Sequence, residues 1–156
     1  MSKIALFPGS FDPFTRGHQV LVEQALEMFD GVVIGVGRNF NKKGLLSDDS
    51  KIRLIKDVFA NQPRVSVEVY ESLTVDFCKQ HGIKFLLRGM RNAQDFEFER
   101  NIMRVNNLLA PELITVMLFT PPEYEAISSS VVRELMLFGK DVGNFMPQDI
   151  DIENYL

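Results

Sequence analysis

The sequence predicts an α/β protein with a Rossmann-like fold, in which a doubly wound parallel sheet of five strands carries helices on both faces. Short apolar runs alternate along the chain with longer segments whose apolar residues recur at helical spacing, and this alternation is typical of parallel sheets. The chain has 156 residues, of which 46% are hydrophobic, and this is enough material for one sizeable core. We therefore expect a single domain over residues 1–156.

Five segments have the composition of strands: residues 3–7, 31–37, 65–70, 84–87 and 113–119. The second of these, Gly-Val-Val-Ile-Gly-Val-Gly, is apolar throughout, as is usual for a strand that is buried on both faces. The third alternates apolar and polar residues, which favours a position at an edge of the sheet.

Five further segments are predicted to be helical: residues 17–29, 48–60, 74–80, 93–109 and 128–138. Ser47 or Asp48 can cap the second helix, Gly82 can end the third, and Ser128 or Ser129 can start the fifth. The acidic segment after Pro147 is an additional helix candidate. Because ligands bind such sheets outside the carboxyl ends of the strands, we expect the functional residues to follow strands.

Charge and cysteine content argue against several classes of function. The chain has 21 acidic and 17 basic residues, a net charge of −4, and its few basic clusters suit a small anionic ligand better than a nucleic acid. The single cysteine, Cys78, cannot form an intrachain disulfide. The apolar run at residues 4–7 is too short for a signal peptide or a membrane span. We expect a cytoplasmic protein that acts neither on nucleic acid nor at a membrane.

The first motif occupies residues 9–18, where the first predicted strand passes into the first helix. Its sequence is Gly-Ser-Phe-Asp-Pro-Phe-Thr-Arg-Gly-His. Thr15 is a natural N-cap, so His18 falls in the first helical turn, where free N–H groups favour an anion. A cationic His18 imidazole there would donate a hydrogen bond to a phosphate oxygen as charge develops. The alternative is an ordinary capping or surface histidine.

The second motif is Arg-Gly-Met-Arg at residues 88–91, directly after the fourth predicted strand. Arginine stays charged and grips phosphate oxygens in a bidentate way, and Gly89 permits a turn and a close approach of the backbone. A basic surface loop is the alternative. Glu99 and Asp95 share a face of the next helix, and we expect Asp95 to be solvated.

The third motif is Ile-Ser-Ser-Ser-Val-Val-Arg at residues 127–133, which starts a helix. Hydroxyls and free N–H groups at a helix N-terminus suit phosphate binding. Simple capping is the alternative for any serine cluster at this position.

These three motifs, in this order, resemble those of the bacterial phosphopantetheine adenylyltransferases of the HxGH nucleotidyltransferase superfamily. Thr15 stands for the first histidine of the superfamily signature, as is usual in that family, and the similarity runs from about residue 4 to residue 147. Gly44 follows the lysine pair Lys42 and Lys43 where the family often has proline, which predicts a less rigid loop.

The resemblance implies an enzyme that transfers AMP from ATP to 4′-phosphopantetheine, giving dephospho-coenzyme A and pyrophosphate. It implies Mg²⁺ carried with ATP, a homohexamer, and coenzyme A as a possible feedback inhibitor. The catalytic residues it implies are His18 and Lys42, and those it implies for the acceptor are Ser10, Lys42, Thr74 and Arg88. The residues it implies for ATP are Ser10, Phe11, His18, Gly89, Met90, Arg91, Glu99, Tyr124, Glu125, Ala126, Ile127, Ser128, Ser129 and Ser130.

Two other functions fit the same motifs. One is a nicotinamide mononucleotide adenylyltransferase, or another adenylyl- or cytidylyltransferase of the superfamily. The other is a nucleotide-binding regulatory module without catalysis. Thr15 and the Arg-Gly-Met-Arg sequence favour the pantetheine enzyme over the first, and the presence of both His18 and Lys42 disfavours the second.

Overall fold

A computed structural model describes residues 2–38, 40–41 and 43–156. Within these residues five strands form one parallel sheet in the order β3-β2-β1-β4-β5. The strands are β1 (Ile4–Gly9), β2 (Gly31–Gly37), β3 (Val65–Tyr70), β4 (Phe85–Met90) and β5 (Ile114–Phe119). The predicted fold class is confirmed, and β3 lies at an edge as its alternating pattern predicted.

Five α-helices connect and follow the strands: α1 (Arg16–Leu26), α2 (Asp48–Val58), α3 (Thr74–His81), α4 (Ala93–Leu109) and α5 (Ser129–Leu137). Ser47 caps α2 and Ser128 caps α5 through their side chains. Gly82 ends α3 in the left-handed region, at φ 66°, where glycine is favoured. The segment after Pro147 forms a short 3₁₀ turn, Ile152–Tyr155, rather than another α-helix.

Two apolar cores cover the two faces of the sheet. Side chains of α1, α2 and α5 pack on one face together with the C-terminal segment, whose Ile152 and Tyr155 are buried. Side chains of α3 and of Ala110 and Leu113, which follow α4, pack on the other face around Leu6 and Leu86. No helix of the described residues combines the length and apolarity needed to cross a membrane.

The predicted ends of β1 and β4 were wrong, and the second difference affects the site. β1 continues to Gly9, two residues beyond its predicted end at residue 7. β4 continues to Met90, three residues beyond its predicted end at residue 87. Arg88 and Gly89 therefore lie in the strand, paired with Met117 and Leu118 of β5, and not in a loop after it. An arginine and a glycine suggest a turn when read locally, but the neighbouring strand supplies hydrogen bonds that extend β4.

Candidate active site

His18 is held at the start of α1 by a reciprocal cap with Thr15. The backbone N–H of Thr15 donates to His18 Nδ1 at 2.9 Å, and the backbone N–H of His18 lies 3.4 Å from Thr15 Oγ1. Because a backbone N–H only donates, Nδ1 acts as an acceptor, and the proton of the neutral ring is on Nε2. The predicted N-cap is confirmed, and it fixes the tautomer of the histidine as well as the start of the helix.

The environment of His18 favours the neutral ring, not the cationic one that the sequence suggested. The imidazole packs against the rings of Phe7, Phe11 and Phe14, with centroids 5.1–6.0 Å apart. Burial is the main cause, with the charges of Arg88 and Arg91 adding to it, and together they lower the pKa of His18 from 6.5 to about 3. A neutral His18 still donates one hydrogen bond, through Nε2–H.

A polar cavity of about 290 Å³ lies at the carboxyl ends of β1 and β4, next to His18. It sits where the strand order reverses, between β1 and β4, which is the usual ligand position in such sheets. The starts of α1 and α5 both reach it. The residues predicted for the site that line it are Ser10, Phe11, His18, Arg88, Gly89, Arg91, Glu99, Ile127, Ser128 and Ser129.

Arg88 and Glu99 form a bidentate ion pair in the wall of this cavity. Arg88 Nε and Nη2 donate to the two carboxylate oxygens of Glu99 at 2.7 Å each, and Nη1 donates to the carbonyl of Pro8 at 2.7 Å. Glu99 is only 7% exposed, so its charge depends on Arg88 for compensation. The pair fixes the guanidinium between the end of β1 and helix α4.

Arg91 is paired with Asp95, which corrects the expectation that Asp95 is solvated. The backbone N–H of Arg91 donates to Asp95 Oδ2 at 3.0 Å, and its Nε donates to the same oxygen at 3.1 Å. Both residues line the polar cavity. Asp95 therefore orients the second arginine, a role that sequence spacing on one helix could not distinguish from solvation.

Gly89 is required by packing between β4 and α1. A Cβ at this position would lie 2.2 Å from Leu21 Cδ1, so a side chain here would require the buried Leu21 side chain of α1 to move. The sequence suggested a turn and a close backbone approach for this glycine. In the structure, the close approach at Gly89 is to the Leu21 side chain of α1.

The three serines of α5 have three different partners. Ser128 Oγ accepts from the backbone N–H of Val131 at 3.2 Å, as a simple cap. Ser129 Oγ donates to the carbonyl of Pro13 at 2.8 Å, which ties α5 to the β1–α1 turn. Ser130 Oγ accepts from Arg133 at 3.2 Å.

Five predicted ATP residues lie outside the lining of the polar cavity: Met90, Tyr124, Glu125, Ala126 and Ser130.

A second, apolar cavity of about 670 Å³ lies on the other side of Arg88, against α4 and α3. Its lining includes Ile102, Leu109 and Leu73, and also Thr74, which was predicted from the acceptor site. The Thr74 hydroxyl shares a 2.8 Å hydrogen bond with Tyr70 OH. The two cavities share five lining residues: Pro8, Gly9, Ser10, Arg88 and Glu99.

Asp12 is a functional candidate that the sequence reading did not single out. Its two carboxylate oxygens accept from the backbone N–H groups of Leu45 and Leu46 at 2.8 Å each, and its carbonyl accepts from Arg133 Nη1 at 2.7 Å. A Cβ at Gly44 would lie 2.7 Å from Asp12 Oδ2. Gly44 thus lets the loop close onto Asp12, which anchors the loop at Leu45 and Leu46. The Asp-Pro pair of the first motif is the sequence feature from which a role for Asp12 could have been predicted.

Lys42, predicted as a catalytic residue, lies outside the described residues. Lys43, its neighbour in sequence, lines a cavity of about 530 Å³ together with Ser10, Asp12 and Arg133. Within residues 2–38, 40–41 and 43–156, no three His, Cys, Asp or Glu side chains cluster closely enough to hold a metal ion.

Comparisons with known proteins identify the family of the chain. The family model described as cytidylyltransferase-like matches residues 6–135. A phosphopantetheine adenylyltransferase of Phocaeicola vulgatus is 46% identical over 149 residues, 96% of this chain and 98% of that protein. A phosphopantetheine adenylyltransferase of Leuconostoc citreum is 47% identical, over 93% of this chain and 92% of that protein.

A solved structure extends the comparison to the fold. It is a bifunctional NMN adenylyltransferase/ADP ribose pyrophosphatase of Francisella tularensis, complexed with AMP and a manganese ion. The TM-score is 0.72 at 17% identity, and the alignment covers 98% of this chain and 46% of that one. At this identity the likeness concerns the fold alone. With the family model and the close relatives, the chain belongs to the cytidylyltransferase-like family and, within it, to the phosphopantetheine adenylyltransferases.

Proposed function

We propose that this chain transfers the adenylyl group of ATP to the phosphate of 4′-phosphopantetheine, giving dephospho-coenzyme A and pyrophosphate. The observation that carries the proposal is the junction of a polar and an apolar cavity at Arg88. The polar cavity suits the triphosphate, the apolar one suits the pantetheine arm, and the acceptor phosphate meets the α-phosphorus at the shared wall.

The reaction needs no general base from the protein. A phosphate monoester has a second pKa near 6, so the acceptor is largely a dianion at neutral pH. One of its oxygens bonds to the α-phosphorus of ATP while the bond to the bridging oxygen of the β-phosphate breaks, and pyrophosphate leaves. The protein contributes positioning and charge stabilisation.

On the nucleotide side, His18 Nε2–H is available as a donor to the α-phosphate, because Nδ1 is occupied by Thr15. Donors aimed at a developing charge stabilise the transition state. Arg91, oriented by Asp95, and the start of α5 bind the leaving pyrophosphate. Tyr124, Glu125 and Ala126 precede the cavity residue Ile127, and we assign that segment to the adenosine part of ATP.

On the acceptor side, Ser10 and Arg88 bind the phosphate, since both border the two cavities. We assign Lys42 to the same phosphate on the family resemblance, with its ammonium following the phosphate through the reaction. Thr74 is assigned to the pantetheine arm, in the apolar cavity.

Mg²⁺ is proposed to enter with ATP, held by phosphate oxygens and water, because magnesium loses its waters reluctantly. The donor set of the polar cavity fits this arrangement, since its carboxylates, Asp95 and Glu99, are both paired with arginines. When bound, the ion neutralises part of the phosphate charge.

A homohexamer, feedback by coenzyme A and a cytoplasmic location complete the proposal. Apolar side chains exposed on α4 and β5, among them Phe98 (63%) and Phe119 (74%), support an interface between copies of the chain. Sedimentation velocity would measure the number of chains in the assembly.

Coenzyme A contains the pantetheine arm and an adenine nucleotide, so it would compete with both substrates for the two cavities. The buried single thiol Cys78 fits a reducing compartment.

The test is a pyrophosphate-release assay with ATP and Mg²⁺. Parallel reactions contain 4′-phosphopantetheine, nicotinamide mononucleotide or no acceptor, and the product is identified by mass spectrometry. We expect dephospho-coenzyme A and pyrophosphate in equal amounts in the first reaction only. Turnover with nicotinamide mononucleotide alone, or ATP binding without turnover of any acceptor, would contradict the proposal.

A further inference from the structure

The third cavity, beside Lys43, is lined by an excess of basic side chains, and we call it the cationic cavity. Its volume is about 530 Å³, and its charged lining residues are Arg38, Lys43, Lys51, Arg133, Asp12 and Asp48. Arg38 is neutralised, since it pairs with Asp48 at 2.8 Å and also with Glu71. The Asp12 carboxylate is held by two backbone N–H groups. The other three cations have no acidic partner among the described residues, so the lining favours an anion.

Lys51 is the buried member of this set. It lies on α2 and is only 8% exposed, and within residues 2–38, 40–41 and 43–156 its ammonium has neither a hydrogen bond nor an ion pair. A buried charge without a partner costs free energy, and native proteins rarely keep one. The fully enclosed polar atom without a partner in the described part of the chain is Thr115 Oγ1, not Lys51 Nζ. The ammonium therefore reaches the cavity, where an anion would supply its missing partner.

Helix α5 connects the cationic cavity with the polar one. Ser129 lines the polar cavity and Arg133 lines the cationic cavity, and residues four apart share a face of a helix. Ser129 Oγ donates to the carbonyl of Pro13 at 2.8 Å. Arg133 Nη1 donates to the carbonyl of Asp12 at 2.7 Å, and Ser10 lines both cavities. An anion released at the start of α5 therefore has a second cationic site one helical turn away.

We propose that the cationic cavity binds pyrophosphate after it has left the α-phosphorus. The inference rests on the proposed function and adds a product site to it. Lysine binds phosphate groups as a compact point charge, and pyrophosphate is the anion that the reaction releases beside this cavity. The cationic cavity is larger than the polar cavity assigned to the triphosphate, so it has room for pyrophosphate. Binding of the product there frees the polar cavity for the next ATP.

The test is a calorimetric titration of inorganic pyrophosphate, with Mg²⁺, into enzyme that is saturated with a non-hydrolysable ATP analogue. The analogue fills the polar cavity, so any further binding reports on the cationic cavity. We expect pyrophosphate to bind the saturated wild type. Lys51→Met should weaken this binding about 10- to 100-fold, the effect of one hydrogen bond between charged groups. Lys51→Arg should restore it, and the affinity for the analogue should not change in either variant.

A melting curve and a control variant separate binding from folding. Lys51→Met replaces a buried charge by an apolar side chain, so it should melt at the wild-type temperature or higher. Lys56→Met is the matched control. Lys56 is exposed on the same helix and lines none of the three cavities, so the affinity for pyrophosphate should stay at the wild-type level.

Three results would overturn the inference. They are competition between pyrophosphate and the analogue, equal pyrophosphate affinities in the wild type and Lys51→Met, and a loss that Lys51→Arg does not restore. Inorganic phosphate that binds as tightly as pyrophosphate would overturn the assignment to the leaving group. The titrations need no turnover. If the wild type binds pyrophosphate in this way but forms no dephospho-coenzyme A, the proposed function fails while the anion site stands, so the two failures are distinct.

Discussion

The polar and the apolar cavity share one wall and differ in what they can contribute to the reaction. The polar cavity has two arginines, a histidine with one available N–H and the starts of two helices. The apolar cavity is larger, and aliphatic side chains such as Leu73, Leu86 and Ile102 line it beyond Arg88. Charge stabilisation is thus concentrated on one side, and recognition of the arm on the other. Substitutions on the first side should change turnover, and those on the second should change the acceptor KM.

The largest effect is expected at His18. In His18→Ala the transition state loses the Nε2–H donor, and removal of one such donor costs about 10²–10³-fold in kcat. ATP binding, measured by calorimetry, should be largely kept, because the arginines and the helix starts remain.

The other histidine of the chain gives the matched control. His81 stacks on Phe77 and lies outside both cavities, so His81→Ala should turn over at the wild-type rate. A near-normal kcat in His18→Ala would show that the imidazole does not stabilise the transition state. It would also contradict the conclusion that substitutions in the polar cavity change turnover.

The next effect is expected at the shared wall. In Glu99→Ala, Arg88 loses a bidentate partner that fixes it between the cavities, so kcat/KM should fall about 10-fold for both substrates. The free energy of unfolding should fall by about 2 kcal/mol, because hydrogen bonds to a charged group are lost.

The exposed neighbour on the same helix, Glu97, provides the control variant Glu97→Ala, which should behave as wild type in steady-state kinetics and in chemical denaturation. A Glu99→Ala enzyme impaired for only one of the two substrates would show that Arg88 serves one cavity and not both.

A smaller effect, on the acceptor only, is expected at Asp12. Asp12→Asn keeps one acceptor oxygen but replaces the other by a donor, so the backbone N–H of Leu45 or Leu46 loses its partner. The loop that follows Lys42 in sequence should loosen, and the KM for 4′-phosphopantetheine should rise about 3- to 10-fold, with the KM for ATP unchanged. Asp49→Asn, an exposed position nearby in sequence, is the control. An equal rise in the ATP KM would contradict this role.

The smallest effect concerns pH. The pKa of His18 is about 3 in the folded protein, lowered chiefly by burial from 6.5. Between these values the unfolded chain binds more protons than the folded one, so this contribution to stability is complete above pH 6.5 and is lost as the pH falls towards 3. The melting temperature of His18→Ala should therefore depend less steeply on pH between 4.5 and 7. Identical slopes in the two proteins would show that His18 is not held neutral.

Most of the fold could be predicted from the sequence because strands and helices here follow local patterns. The apolar run of β2 and the cap at Thr15 were predicted correctly. Ser47 and Ser128, which cap α2 and α5, were each one of two residues predicted for that position. What sequence could not supply were contacts between distant segments. The extension of β4 depends on β5, and the hold of Asp12 on the loop at Leu45 and Leu46 joins residues more than thirty positions apart. The neutral state of His18 depends on burial among three phenylalanines and on Arg88 and Arg91.

Simultaneous binding of the two substrates tests most directly the claim that two cavities meet at one reacting centre. The enzyme is saturated with a non-hydrolysable ATP analogue that has a methylene group between the α- and β-phosphorus atoms, and 4′-phosphopantetheine is then titrated in a calorimeter. We predict that the acceptor binds the saturated enzyme with an affinity similar to or higher than that for the free enzyme. Competition between the analogue and the acceptor would mean that they occupy one cavity, and it would contradict the account.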